Sequence, residues 1–123
     1  MNNTKCPFCN IDREVIISSD HCFSIYDNYP VNKGHVLVIP NRHVSDYFNL
    51  EPDEIDSLWK QVKEVKNFLD GKHKPDGYNI GLNVGRSAGQ TIDHVHIHVI
   101  PRYTGDMEDP TGGVRHVIPE RGK

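Results

Sequence analysis

His94-Val95-His96-Ile97-His98-Val99-Ile100 alternates an imidazole with an aliphatic side chain through Val99 and closes on a second aliphatic residue, Ile100. Strict alternation is the period of a β-strand, so this spacing predicts one that buries Val95, Ile97 and Val99 and projects all three imidazoles from its other face. Residues 79–85 alternate in the same way, with Ile80, Leu82 and Val84 opposing Asn79, Gly81, Asn83 and Gly85. If the two strands are neighbours, glycines and asparagines floor a cleft beside the histidines. Upstream, residues 14–18 and 22–27 read as strands joined through Ser19, Asp20 and His21, and residues 34–39 as a third, ended by Pro40. Such tight connections favour antiparallel pairing.

Around these strands the composition is that of one folded domain spanning 1–123, with a loose C-terminal tail from about residue 104. The chain has 123 residues, 36% of them hydrophobic, and a net charge of −3, which places it outside the low-hydrophobicity, high-charge regime of disorder. Val and Ile far outnumber Leu and Ala, as expected of a sheet-rich chain. One helix is evident: Ile55, Leu58, Trp59, Val62, Val65 and Leu69 recur at spacings of three and four, predicting a helix over 52–70. Pro52 suits its first turn, Gly71 its left-handed stop, and Trp59 its buried stripe. The fold class is therefore α+β, an antiparallel sheet packed with one long helix and one or more short ones.

Several partners are disfavoured. Lys and Arg number 14 against 17 acidic residues, with no long basic run, which argues against a nucleic-acid polymer. The longest apolar run, Val36 to Ile39, is far shorter than the roughly 20 residues of a membrane helix, and residues 1–5 carry no apolar stretch behind a charged start. Three cysteines cannot all pair within the chain, so a reducing, cytoplasmic setting is expected.

Two motifs carry chemistry. Three imidazoles on one strand face call for water, metal or an anion. Residues i and i+4 of a strand are about 13 Å apart, too far for one zinc ion with bonds of about 2.0–2.1 Å to take all three histidines easily. The second motif, Cys6-Pro7-Phe8-Cys9, has the spacing of both a zinc knuckle and a redox pair. Its place before every periodic segment favours zinc, which needs two more ligands. Cys22, inside a predicted strand, is a poor one. The segment 85–91 reads as a small-residue loop whose backbone N–H groups can approach a phosphate.

The 94–100 stretch resembles the His-φ-His-φ-His-φ-φ signature of the histidine triad family of nucleotide hydrolases and transferases, φ being hydrophobic. Gly34-His35-Val36-Leu37-Val38-Ile39-Pro40-Asn41-Arg42-His43 is similar to the family's Gly-His-x-Leu-Val-x-Pro-x-Arg-His stretch. The resemblance implies that His96 attacks the α-phosphorus of a purine nucleotide and that His98 supports the phosphate or leaving group, with His35 behind it. It implies that Asn83, Gly89, Gln90 and Thr91 serve the phosphates or the leaving group. Asp27 would take the ribose hydroxyls, and Phe8, Ile11 and Ile25 would form the slot for the base. It further implies a structural zinc on Cys6, Cys9, His43 and His94, a magnesium ion accompanying the substrate, and a homodimer across which the sheet continues. Dinucleoside polyphosphates or nucleoside phosphoramidates are the implied substrates, by hydrolysis or nucleotidyl transfer. Two rival readings are a metal-dependent hydrolase built on His96 and His98, and a nucleotide-binding module without turnover. The intact middle histidine speaks against the latter.

Overall fold

The structure, a computed structural model, describes residues 4–122; residues 1–3, part of the stretch searched for a leader, and residue 123 lie outside it. Five strands, β1 (Ile17–Ser18), β2 (Cys22–Tyr26), β3 (Val36–Pro40), β4 (Gly77–Gly81) and β5 (Ile97–Arg102), form one sheet. Their order is β1-β2-β3-β5-β4, antiparallel at every pairing. The helix α1 (Pro52–Lys72) joins β3 to β4 and covers one face.

Alternation along the strands sorts the two faces. Cys22, Val36, Val38, Ile97 and Val99 point toward α1 and meet Leu58, Val62, Val65 and Leu69 in one apolar cluster. Ile25, Leu37 and Ile39 point the other way and are covered by Cys6 and Phe8 of the N-terminal arm. That arm covers the β2–β3 half of the second face, and the other half carries the histidines and the cleft.

The helix begins with a capping box, in which the Glu51 backbone N–H donates to Glu54 Oε1 at 2.8 Å. Arg42 grips the same carboxylate with Nη2 at 2.7 Å and Nε at 3.1 Å. The stretch leading out of β3 is thereby tied to the helix start. The helix runs through Gly71 instead of stopping there; both His73 and Lys74 donate their N–H to Leu69 O, and Lys74 takes the left-handed turn at φ +53° before Pro75. Trp59, expected in the core, is 40% exposed and donates to Tyr47 Oη at 3.1 Å.

Two strands differ from their expected extents. Only Ile17 and Ser18 of 14–18 pair, and β4 ends at Gly81, so Leu82 to Val84 continue toward the cleft unpaired. The chain is redirected at Gly85, whose φ of +90° is open mainly to glycine. Gly34, at φ +88°, has a second reason to be glycine: a Cβ there would lie 2.9 Å from His73 Cδ2 and 3.3 Å from Pro101 Cγ.

Candidate active site

β5 begins only at Ile97, so His94 and His96 precede the strand; Val95, Ile97 and Val99 still enter the core under α1, and His94 and His96 both meet Phe8 on the other side. His94 lies in the bend before the strand, where the backbone N–H of Val95 donates to Val44 O. His96 comes just before the strand, and His98 stands within it, paired with Leu37 of β3 on one side and Gly81 of β4 on the other. The bend sends His94 toward the N-terminal arm, while the rings of His96 and His98 stay 5.1 Å apart at the cleft. One motif therefore serves two sites.

Hydrogen bonds set the tautomer of each imidazole. A carbonyl only accepts, so His96 donates from Nδ1 to His94 O at 2.8 Å and its Nε2 carries the lone pair. Phe8 packs edge-on against this ring at 5.1 Å. His35 accepts the Val31 N–H on Nδ1 at 3.0 Å, so in neutral form it is protonated on Nε2. That nitrogen faces His98 Nδ1 at 2.9 Å and Asp27 Oδ2 at 3.5 Å. With His98 Nδ1 accepting, His98 carries its proton on Nε2. The pair thus presents one nucleophilic nitrogen from His96 and one N–H donor from His98.

Burial keeps these groups neutral. It lowers the pKa of His96 and His35, and that of His98, with the neighbouring His96 and His35 adding to it, to about 4. Asp27 opposes the shift at all three but does not reverse it. Its Oδ1 is engaged by the Tyr29 N–H at 2.9 Å, which leaves Oδ2 at the cleft wall.

The cleft has a volume of about 790 Å³ and takes Phe8, Asp27, Asn83, Gly89, Thr91, His35, His96 and His98 among its walls. Other expected residues lie elsewhere. Ile25 is fully buried and Ile11 packs against the same cluster, so both belong to the core beneath the arm. Leu37 and Ile92 stand in the cleft where those two were expected. Gln90 is buried, its side chain accepting from Gly85 N and donating to Ser45 O and Ile92 O, which makes it a tether for the loop. Part of the loop is closed to an anion: the N–H groups of Gly85, Ala88, Gly89 and Gln90 are taken by partners within it. Arg86 turns away to Asp93.

Sequence reasoning missed Arg13, Tyr29, Val114 and Val117, which also line the cleft. A lone arginine in an arm and valines in a tail carry no spacing signal. Asp27 is the one carboxylate among the described residues lining the cleft, so a magnesium ion finds no pair of carboxylates there.

Cys6, Cys9, His43 and His94 bring one ligand atom each within 4.8 Å of one another. Cys6 Sγ and His94 Nδ1 are 3.3 Å apart, Cys9 Sγ and His43 Nδ1 3.3 Å, Cys9 Sγ and His94 Nδ1 3.6 Å, and the two Nδ1 atoms 3.2 Å. Zinc bonds of about 2.0–2.1 Å to nitrogen and 2.3 Å to sulfur give tetrahedral edges of roughly 3.3–3.8 Å, which these separations match. His94 donates from Nε2 to Pro40 O at 2.8 Å, which leaves its Nδ1 lone pair facing the cysteines, as a metal requires. The other cluster within that distance, Asp27, His35 and His98, fails the same test. The nitrogen His35 offers there is the protonated one.

A HIT domain matches residues 9–105. The chain belongs to the histidine triad (HIT) family. It is 42% identical to an uncharacterized HIT-like protein of Methanocaldococcus jannaschii over 84% of this chain and 83% of that one. It is also 34% identical to a bis(5'-adenosyl)-triphosphatase of Dictyostelium discoideum, over 84% of this chain and 69% of that enzyme. Among solved structures, a zinc-bound histidine triad protein of Mycobacterium smegmatis superposes with a TM-score of 0.76 at 33% identity, covering 85% of this chain and 80% of that one. As a HIT domain, the chain has its antiparallel sheet and single long helix in common with its structural neighbours.

Proposed function

We propose that the protein cleaves nucleotides at the α-phosphorus through a nucleotidyl intermediate on His96, with dinucleoside polyphosphates or nucleoside phosphoramidates as substrates. The observation that carries this reading is the 2.8 Å bond from His96 Nδ1 to His94 O. It aims the Nε2 lone pair into the cleft and stabilises the cationic ring formed on attack. In the first step the Nε2–P bond forms and the bond from phosphorus to the leaving group breaks, its electron pair going to that group. A polyphosphate departs as an anion and needs no proton, so an N–H hydrogen bond from His98 Nε2 suffices; a phosphoramidate nitrogen takes a proton from solvent before the P–N bond breaks and departs as the neutral amine. In the second step water attacks phosphorus, the Nε2–P bond breaks, and neutral His96 returns as the water proton passes to solvent.

The rival metal reading needs lone pairs from both His96 and His98, whereas the His35 bond leaves His98 offering a proton. A structural zinc on Cys6, Cys9, His43 and His94 belongs to the same proposal, supported by the donor set and by the zinc-bound relative. It would hold Phe8 of the arm against His96. A homodimer across which the sheet continues, in the cytoplasm, completes the reading. The reading is tested by His96→Gly, which should abolish turnover of diadenosine tetraphosphate and of adenosine 5'-phosphoramidate while nucleotide affinity stays within about tenfold. Turnover above a few per cent of wild type would refute it.

A further inference from the structure

The cleft is longer than its nucleoside end requires. Phe8 and Leu37 close it on the β3 side of His98; on the β4 side it continues over Asn79 and Ile100 to Val114 and Val117. These valines stand three residues apart on Gly113–Val117, two short 3-10 turns joined across a kink at His116. They are 64% and 80% exposed, yet both line the cleft. The turn is placed by short contacts. A Cβ at Gly113 would lie 3.1 Å from Asn79 Nδ2, so the glycine lets the segment pass close over β4. His116 Nε2 donates to Thr111 O at 2.6 Å, and the Arg115 N–H to Gly112 O at 2.8 Å. Water-facing aliphatic side chains set beside a reactive centre mark a binding surface.

We propose that Ile100, Val114 and Val117 form a leaving-group subsite, which takes an apolar-faced ring carried by the group that departs from His96. The proposal rests on His96 as nucleophile. In-line attack expels the leaving group on the side of phosphorus opposite His96 Nε2, and with the base assigned to the Phe8 end of the cleft, the Ile100, Val114 and Val117 end is left for it. A ring there lies flat on Ile100 with the valines over its outer face, and Asn79 is at hand for a polar edge. A second nucleobase and an aromatic amine both offer such a ring.

The test compares kcat/KM of wild type and the Val114→Ser, Val117→Ser double variant on three substrates. Diadenosine tetraphosphate carries a second base, an AMP–tryptamine phosphoramidate an indole, and adenosine 5'-phosphoramidate a leaving group without a ring. The ratio of ring-bearing to ring-free kcat/KM, which is independent of the fraction of correctly folded enzyme, should fall about tenfold in the variant. A fall confined to diadenosine tetraphosphate assigns the subsite to a nucleobase, and one confined to the tryptamine substrate assigns it to an amine. Unchanged ratios would overturn the proposal. A change of oligomeric state in sedimentation with unchanged ratios would overturn it too and give the valines to a contact between copies. Turnover of none of the three by wild type would remove His96 as nucleophile along with the subsite.

Discussion

Each imidazole at the site is assigned by the group its other nitrogen meets. His94 donates to Pro40 O and faces the cysteines with a lone pair; His96 donates to His94 O and faces the cleft with one; His98 accepts from His35 and faces the cleft with a proton. Alternation in sequence announced three special histidines but not this division, because the partners are backbone carbonyls and a residue 63 positions away. The pH dependence follows. His35, His96 and His98 are held neutral by burial, whereas in the unfolded chain they take up protons near pH 6.5. The unfolded state therefore binds more protons below that pH, and stability falls as pH drops from about 6.5 toward 4. Urea midpoints measured across this range should decline steadily, while kcat/KM holds its plateau to below pH 6.5; a rate already halved at pH 6.5 would place the His96 pKa at its ordinary value. Asp27 gives a second prediction. Asp27→Asn retains an oxygen for the Tyr29 N–H but removes the charge, so kcat/KM should drop roughly ten- to a hundredfold for ribonucleotides and far less for 2',3'-dideoxy analogues. Equal losses would rule out ribose contact.

At the scale of elements, the long helix was legible from its single dominant period and the β2–β3 hairpin from strand-forming runs bounded by turn residues. The extents of β1 and β4 were not: pairing is decided by the neighbour, and alternation persists in Leu82 to Val84 after the partner strand has turned away. The glycine loop was legible only in part for a similar reason, since composition shows that a backbone can approach a phosphate but not that the N–H groups of Gly85, Ala88, Gly89 and Gln90 are already bonded within the loop. Two connections govern how well the elements deliver the site. Glu54 serves both as helix cap and as the partner of Arg42, next to His43. Glu54→Ala should lower the unfolding free energy by about 1–2 kcal/mol, the range for a lost cap, with little added for an arginine that is 44% exposed. Gly34→Ala forces a Cβ against His73 and Pro101 at φ +88° and should cost about 1–3 kcal/mol. Chemical denaturation of the two variants measures both; a neutral Gly34→Ala would mean that the hairpin shifts without cost.

For the whole molecule, the two faces of the sheet divide the labour. The face under α1 is a sealed apolar core, and the other is half covered by the cysteine-bearing arm and half open as the cleft. The antiparallel α+β architecture was readable from strand periods and short connections. That His94 would join the arm was implied only by likeness to the family, because the link spans 88 residues and leaves no local pattern. If zinc closes this link, purified protein should contain one equivalent per chain, and a Cys6→Ser, Cys9→Ser variant should lose it together with thermal stability, activity following as the arm loosens. The central claim, a covalent nucleotidyl-His96, is tested most directly by the stereochemistry at phosphorus. A substrate with a chiral α-thiophosphate, hydrolysed in isotopically labelled water, should give product with net retention, the result of two in-line displacements; inversion would mean that water attacks directly and that His96 never bonds to phosphorus.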